Sequence, residues 1–133
     1  MSRVLIDTSA WVQFFRSGQG PVSDEVARLV EADLGWTTGV VVAELLHGTR
    51  SARERRELAA LLATLPYVEV ERPDWEATGD LLRTLREKGR TVPMSDVLIA
   101  AVAKRHDLAV LTLDGHFEWL PAKRWSVAAP ESM

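Results

Sequence analysis

The sequence predicts an α/β fold with a central, mostly parallel sheet of about five strands, and three observations lead there. Short, continuously apolar runs such as Val4 to Ile6 and Leu108 to Thr112 have the character of strands covered on both faces. Segments with apolar residues at helical spacing separate such runs, so strands and helices alternate. An acid stands where two of the runs end, Asp7 and Asp114, the position at which an open α/β sheet presents its ligand crevice.

Taken in order, Val4, Leu5 and Ile6 form the first strand, and Asp7, Thr8 and Ser9 a strand-to-helix turn. Ser9 to Arg16 is a short helix carrying Trp11, Val12, Phe14 and Phe15, with Ser17 to Pro21 as its exit loop. Ser23 is expected to cap a second helix that runs to about Ala32, with Val26, Leu29 and Val30 on one face. Leu34 to Thr37 is a second short strand, and Thr38 or Gly39 opens the next helix. There Val40, Val41, Val42, Ala43, Leu45 and Leu46 are apolar around the whole circumference, which predicts a buried helix with Glu44 inside it. Ser51 to Leu65 is amphipathic, with Leu58, Leu61, Leu62 and Leu65 inward and Arg53, Glu54, Arg55, Arg56 and Glu57 outward.

Tyr67 to Val70 is the third strand, and Pro73 lies in the first turn of a long helix that ends at Gly89. Arg83, Arg86, Lys88 and Arg90 near its end complement the helix dipole. Ser95 is the expected cap of a second all-round apolar helix, Val97 to Ala103, with Asp96 in its first turn and His106 and Asp107 at its end. Leu108 to Thr112 is the fourth strand, Trp125 to Val127 a last edge strand, and Ala128 to Met133 a frayed terminus. The five tryptophans fall at helical or strand spacing, which makes core their first assignment and base stacking a secondary one.

A chain of 133 residues, 47% of them hydrophobic, supports one core, so residues 1–133 are expected to form a single domain. The absence of cysteine excludes disulfides and thiolate metal sites, leaving oxygen and imidazole as possible ligands. The short apolar start lacks the character of a signal peptide, and a cytoplasmic location is expected. A formal net charge of −3 speaks against a broad electrostatic footprint for nucleic acid and leaves room only for a local basic face. Arg50, Arg53, Arg55 and Arg56 are the candidates for such a face, although a run of this kind also serves as a solvated surface laced with Glu–Arg pairs.

Of 19 acidic residues, Asp7, Glu44, Asp96 and Asp114 stand beside or inside runs that must be buried. Three of them have a structural alternative: Asp7 as a helix cap, Glu44 in an ion pair, Asp96 as a complement to a helix dipole. Together they have a common explanation, because a parallel sheet brings such positions to one edge, where carboxylates crowd and require a counterion. Hard divalent cations, Mg²⁺ or Mn²⁺, suit oxygen ligands, and an acid cluster holding them suits phosphodiester hydrolysis. Thr8, Ser9 and Thr112 are candidates to orient waters or phosphate oxygens behind the acids. His47, His106 and His116 lack metal-pair spacing with one another and are assigned to surface or core rather than to a metal.

Asp7-Thr8-Ser9, Glu44 in an apolar helix, Asp96 followed by Val97-Leu98-Ile99-Ala100-Ala101, and Leu111-Thr112-x-Asp114 with His116-Phe117 together resemble the PIN domain, and within it the VapC-like toxins of bacterial toxin–antitoxin pairs. The resemblance covers nearly the whole chain in the right order. It implies a three-layer α/β/α sandwich, a Mg²⁺- or Mn²⁺-dependent endoribonuclease, dimerisation, and inhibition by a cognate VapB-like antitoxin that covers the site. Asp7, Glu44, Asp96 and Asp114 match the four family acids and Ser9 the hydroxyl near them. Some members carry a further acid two positions after the fourth, where this chain has His116. A second reading stays open: a catalytically silent binding module on the same fold, its acids holding a structural cation or a basic partner segment.

Overall fold

Four parallel strands, β1 (Val4–Ile6), β2 (Gly35–Thr38), β3 (Tyr67–Val68) and β4 (Ala109–Leu111), lie in the order β3-β2-β1-β4 in the computed structural model, which describes residues 2–127. Six helices connect them: α1 (Thr8–Ser17), α2 (Pro21–Glu31), α3 (Gly39–His47), α4 (Ala52–Leu62), α5 (Arg72–Glu87) and α6 (Met94–Arg105), with a 3₁₀ helix at Gly115–Trp119. Successive strand residues point to opposite faces, and Val4, Leu5 and Ile6 are all fully buried, so the sheet is covered on both sides. The result is the three-layer α/β/α sandwich. Its helices pack against one another as the pairs α1–α2, α3–α4 and α5–α6.

The chain moves outward from β1 through β2 to β3 and then returns to place β4 on the other side of β1. Strand order therefore reverses between β1 and β4, and a crevice opens beyond the carboxyl ends of strands at such a reversal. Val4, Leu5 and Ile6 pair in register with Ala109, Val110 and Leu111, and the Asp7 N–H donates to the Leu111 carbonyl at 2.9 Å. The residues that leave these two strands, Asp7 and Thr112, consequently emerge side by side.

Several local expectations are corrected. Helix α2 begins at Pro21 behind Gly20, because proline is pre-organised for the first turn; Ser23 is buried inside the helix, its Oγ without a hydrogen-bond partner, and caps nothing. Pro93, not Ser95, precedes α6, and Asp96 keeps its expected place in the first turn. Helix α3 is not buried all round: Val41 and Leu45 are buried, whereas Ala43 and Glu44 are exposed. The apolar circumference predicted a fully buried helix, and among the described residues one side of it stays uncovered. The expected edge strand at Trp125 to Val127 is reduced to one parallel bridge, Val110 with Arg124, carried by the Trp125 N–H donating to the Val110 carbonyl at 2.8 Å, while the Trp125 indole donates to Glu25 Oε2 at 2.6 Å. Sheet strands thus number four among the described residues, and the expectation for Ala128 to Met133 falls outside them. Trp11 is fully buried against Phe14 and Phe15, but Trp75 and Trp119 are 52% and 41% exposed, contrary to a core assignment.

Helices α2 and α6 end identically. In each, an aspartate adopts the left-handed region (Asp33 φ 56°, Asp107 φ 54°) and the next N–H reaches back into the last turn, Leu34 to Leu29 at 2.9 Å and Leu108 to Ala103 at 2.8 Å. This paired closure turns the chain sharply into β2 and β4. A buried ion pair locks α5 to α6: Asp74, 1% exposed, accepts from Arg105 Nε at 2.6 Å and Nη2 at 2.8 Å, and from the Glu71 N–H at 2.8 Å. Burial alone would raise the Asp74 pKa, but the Arg105 guanidinium and the Glu71 N–H hold it below the usual carboxylate range. Asp74→Ala strands Arg105 and the Glu71 donor and is expected to cost about 2–3 kcal/mol in urea denaturation. A loss under about 0.5 kcal/mol would show that the pair contributes nothing net.

Candidate active site

Asp7 leaves β1 buried, 3% exposed, and its Oδ2 accepts from Ser9 Oγ at 2.8 Å and from Thr112 Oγ1 at 2.7 Å. Each hydroxyl is itself fixed by a backbone donor, Ser9 Oγ by the Leu113 N–H at 2.9 Å and Thr112 Oγ1 by the Asp114 N–H at 3.0 Å. This lattice stitches the turn after β1 to the exit from β4 and orients one carboxylate between them. Two of the hydroxyls singled out from sequence thus stand behind Asp7. The third, Thr8, donates to Glu44 Oε1 at 2.8 Å.

Asp114 caps the 3₁₀ helix, its Oδ1 accepting from the His116 N–H at 2.9 Å. That turn swings the His116 ring back over the acids, placing Nδ1 2.8 Å from Asp114 Oδ1 and 3.5 Å from Asp96 Oδ2. Asp96, 8% exposed, reaches the same point from the start of α6. Asp96, Asp114 and His116 can each offer one atom within 4.8 Å of the others. Burial, then the facing Asp114 carboxyl and the charge of Asp7, push the Asp96 pKa up to about 7. Asp114 goes the other way: burial would raise it, but the His116 N–H and the Asp96 carboxyl donate to it and hold it below the ordinary range.

The donor set fits a hard cation. Asp96 Oδ2 and His116 Nδ1 are buried and have no hydrogen-bond partner, the ring nitrogen approaching Asp114 without the alignment a hydrogen bond needs. A divalent ion between carboxylates and an imidazole would satisfy both atoms and offset the burial and the neighbouring carboxylates that raise the Asp96 pKa. The structure sets the His116 ring beside two of the acids, a neighbourhood that the spacing of the histidines did not indicate. Spacing between histidines is the wrong test, since its partners are two acids; an Asp-Gly-His turn directly after an apolar strand is the available signal.

The fourth acid stands differently. Glu44 is exposed and not encased in an apolar helix; it faces solvent across from Asp7's neighbour Thr8 and lines a groove of about 670 Å³ between α1, α3 and α4. Arg50 lines the same groove, and Arg53 pairs with Glu57 at 3.0 Å in full solvent, while Arg55 and Arg56 are exposed on α4. The pair between Arg53 and Glu57 contributes little to stability at that exposure.

A parallel α/β/α sandwich whose order reverses beside three aspartates defines the class: an α/β protein with an acidic crevice at the carboxyl edge of its sheet. The PIN domain family model matches residues 4–123. The chain belongs to the PIN-domain family, and its curated relatives there are VapC ribonucleases. It is 33% identical to ribonuclease VapC11 of Mycobacterium tuberculosis over 119 residues, covering 86% of this chain and 89% of that one. It is 30% identical to ribonuclease VapC21 of the same organism over 124 residues, 91% and 88% of the two chains. Its fold resembles that in the crystal structure of VapBC2 from Rickettsia felis bound to a promoter DNA fragment, with a TM-score of 0.78, 18% identity and coverage of 94% and 98%.

Proposed function

We propose that the protein is an endoribonuclease dependent on a divalent cation, Mg²⁺ or Mn²⁺, and the toxin of a VapBC-type toxin–antitoxin pair. Its VapC relatives are named ribonucleases, and structural neighbours are VapBC complexes. The observation that carries the metal dependence is the pair of orphaned buried atoms, Asp96 Oδ2 and His116 Nδ1, beside Asp114. In this reading Asp7, Glu44, Asp96 and Asp114 are the catalytic and metal-binding acids, and His116 joins them. A bound cation supplies a polarised phosphate oxygen and a water of lowered pKa. The residues of the chain do the rest. Asp7, clamped by Ser9 and Thr112, would present one fixed oxygen; Asp96 and Asp114 would offer carboxylate oxygens to the ion beside His116 Nδ1; and Glu44, steered by Thr8, would be the open-side carboxylate placed to take a proton from a water.

Two surfaces suit the expected partners. The groove between α1, α3 and α4 has an apolar floor that includes Val12, Phe15 and Leu58, mixed charges at its rim, and Glu44 in its wall, so an antitoxin segment lying there would cover the acids. Helix α3 carries Ala43 exposed and Val42 and Leu46 half-buried, an apolar face suited to a second copy of the chain in a homodimer. Among the described residues no helix is long and apolar enough to cross a membrane.

Purified protein is expected to cut a labelled single-stranded RNA pool with Mg²⁺ or Mn²⁺ and to stop when the ion is chelated. A folded, metal-loaded protein that leaves every RNA intact would favour the silent binding module. Arg50, Arg53, Arg55 and Arg56 are the proposed RNA-guiding face. Reversing these charges to Glu is expected to weaken RNA binding and to flatten its log-log salt dependence by about 0.7 for each phosphate no longer neutralised. Unchanged affinity and slope would remove that role.

A further inference from the structure

Two exposed features stand beside the acids and belong to neither the metal centre nor the groove. Trp119, the last residue of the 3₁₀ helix, is 41% exposed, and its ring centre lies 6.0 Å from that of His116, the residue whose Nδ1 meets Asp114 and Asp96. Arg90, in the loop that leads into α6 and Asp96, lays its guanidinium carbon 4.8 Å from the centre of the Trp119 ring. No carboxylate pairs with Arg90 among the described residues, so its charge is directed to the indole and to solvent. The two chain segments that deliver Asp96 and Asp114 therefore also deliver a cation and an aromatic ring that touch.

Packing accounts for the covered part of the indole, but it leaves 41% of Trp119 open to solvent beside the acids, and that open face is free to take a ligand. A guanidinium on an indole is worth little in open water as a structural interaction. Both groups have an evident use if a nucleic acid enters the crevice. Unpaired bases stack on aromatic rings and on arginine planes, and arginine also takes a phosphate. The exposed apolar residues of the same segments, Leu113 at 53% and Met94 at 57%, extend an open apolar rim along the sequence on either side of the acids.

We propose that Trp119 and Arg90 form a nucleotide subsite, in which an unpaired RNA base next to the scissile phosphate stacks on the indole while Arg90 engages the adjoining phosphate. The inference rests on the ribonuclease reading and deepens it: the enzyme holds an extruded base, not a continuous duplex, at the side of the centre formed by Asp96, Asp114 and His116. Specificity at one position beside the cut then comes from how well that base stacks.

The test is fluorescence anisotropy with a short fluorescein-labelled single-stranded RNA of random sequence, using Asp96→Asn protein so that nothing is cleaved. Adding Trp119→Ala is expected to weaken binding about tenfold, and Trp119→Phe, which keeps a stacking ring, to stay within about threefold of the parent. Arg90→Ala is expected to reduce the salt slope by about 0.7. With an abasic RNA backbone the Trp119→Ala defect is expected to vanish, which a merely structural role for the indole would not produce. Equal affinity with and without the ring, a defect that persists on the abasic backbone, or no RNA binding at all would overturn the subsite. Trp119-dependent binding by a protein whose wild-type form cuts no RNA would overturn the nuclease reading and leave the subsite standing.

Discussion

Asp96→Asn is expected to lower metal-dependent RNA cleavage by about 10³-fold or more while leaving a better-folded protein than the wild type in the absence of metal. The rate loss should exceed the ten- to hundredfold typical of residues behind a metal ligand, because the substitution removes a ligand charge itself. The stability gain has a separate cause. Asp96 is buried against Asp114 and near Asp7, and a neutral amide of the same shape abolishes that repulsion. Single-turnover cleavage of a labelled RNA, with chemical denaturation of both proteins in chelator at pH 8, reads the two effects independently. Wild-type rates in the variant would exclude Asp96 from the reaction. A variant less stable than wild type would contradict the repulsion.

The second large effect is on stability against pH. The Asp96 carboxyl is raised to about 7 in the folded protein from about 4 in an unfolded chain, so the native state binds the extra proton across that interval. The sign is the reverse of an ordinary salt-bridged acid: stability is greatest below about pH 4 as far as this group is concerned, and falls as pH rises toward 7. The fall is on the order of 2–4 kcal/mol without metal. Asp114 and Asp74, both held below the usual range, act oppositely, and their contributions are lost only as pH falls through the acidic range. Adding Mn²⁺ at pH 7.5 is expected to restore what the wild type has lost, and to do little at pH 5, where Asp96 keeps its proton. Thermal melts of chelated and Mn²⁺-loaded protein at the two pH values check this. Equal Mn²⁺ stabilisation at both would show that the ion does not displace the Asp96 proton.

The parts of this site that are legible in the sequence are those that depend on the ends of strands. Asp7 and Asp114 follow apolar runs, and alternation of strands and helices puts the ends of such parallel strands on one edge; that β4 returns to pair with β1 and sets the two segments side by side is a matter of strand order that alternation does not give. Ser9 and Thr112 are legible for the same reason. Glu44 is reached from sequence by a misleading route: its apolar neighbours suggest burial, yet α3 leaves it exposed, and its link to the site is the single hydrogen bond from Thr8. His116 escapes a sequence reading because a 3₁₀ turn, which no periodicity announces, points its ring at two acids of different elements. Trp119 is hidden likewise: its stacking with Arg90 joins positions far apart in sequence. The fifth strand is cut short to one bridge: the Val110 N–H donates to Lys123 and the Trp125 N–H to Val110, and pairing goes no further.

The central claim is that Asp96, Asp114 and His116, backed by Asp7, hold a catalytic divalent cation. Calorimetric titration of Mn²⁺ into metal-free protein at pH 7.5, in parallel with Asp114→Asn and His116→Ala, tests it most directly. A saturable Mn²⁺ site in the wild type, abolished or weakened at least tenfold in both variants with proton release accompanying the wild-type binding, is the predicted result. Mn²⁺ affinity and proton release unchanged in both variants would place the ion elsewhere and contradict the account.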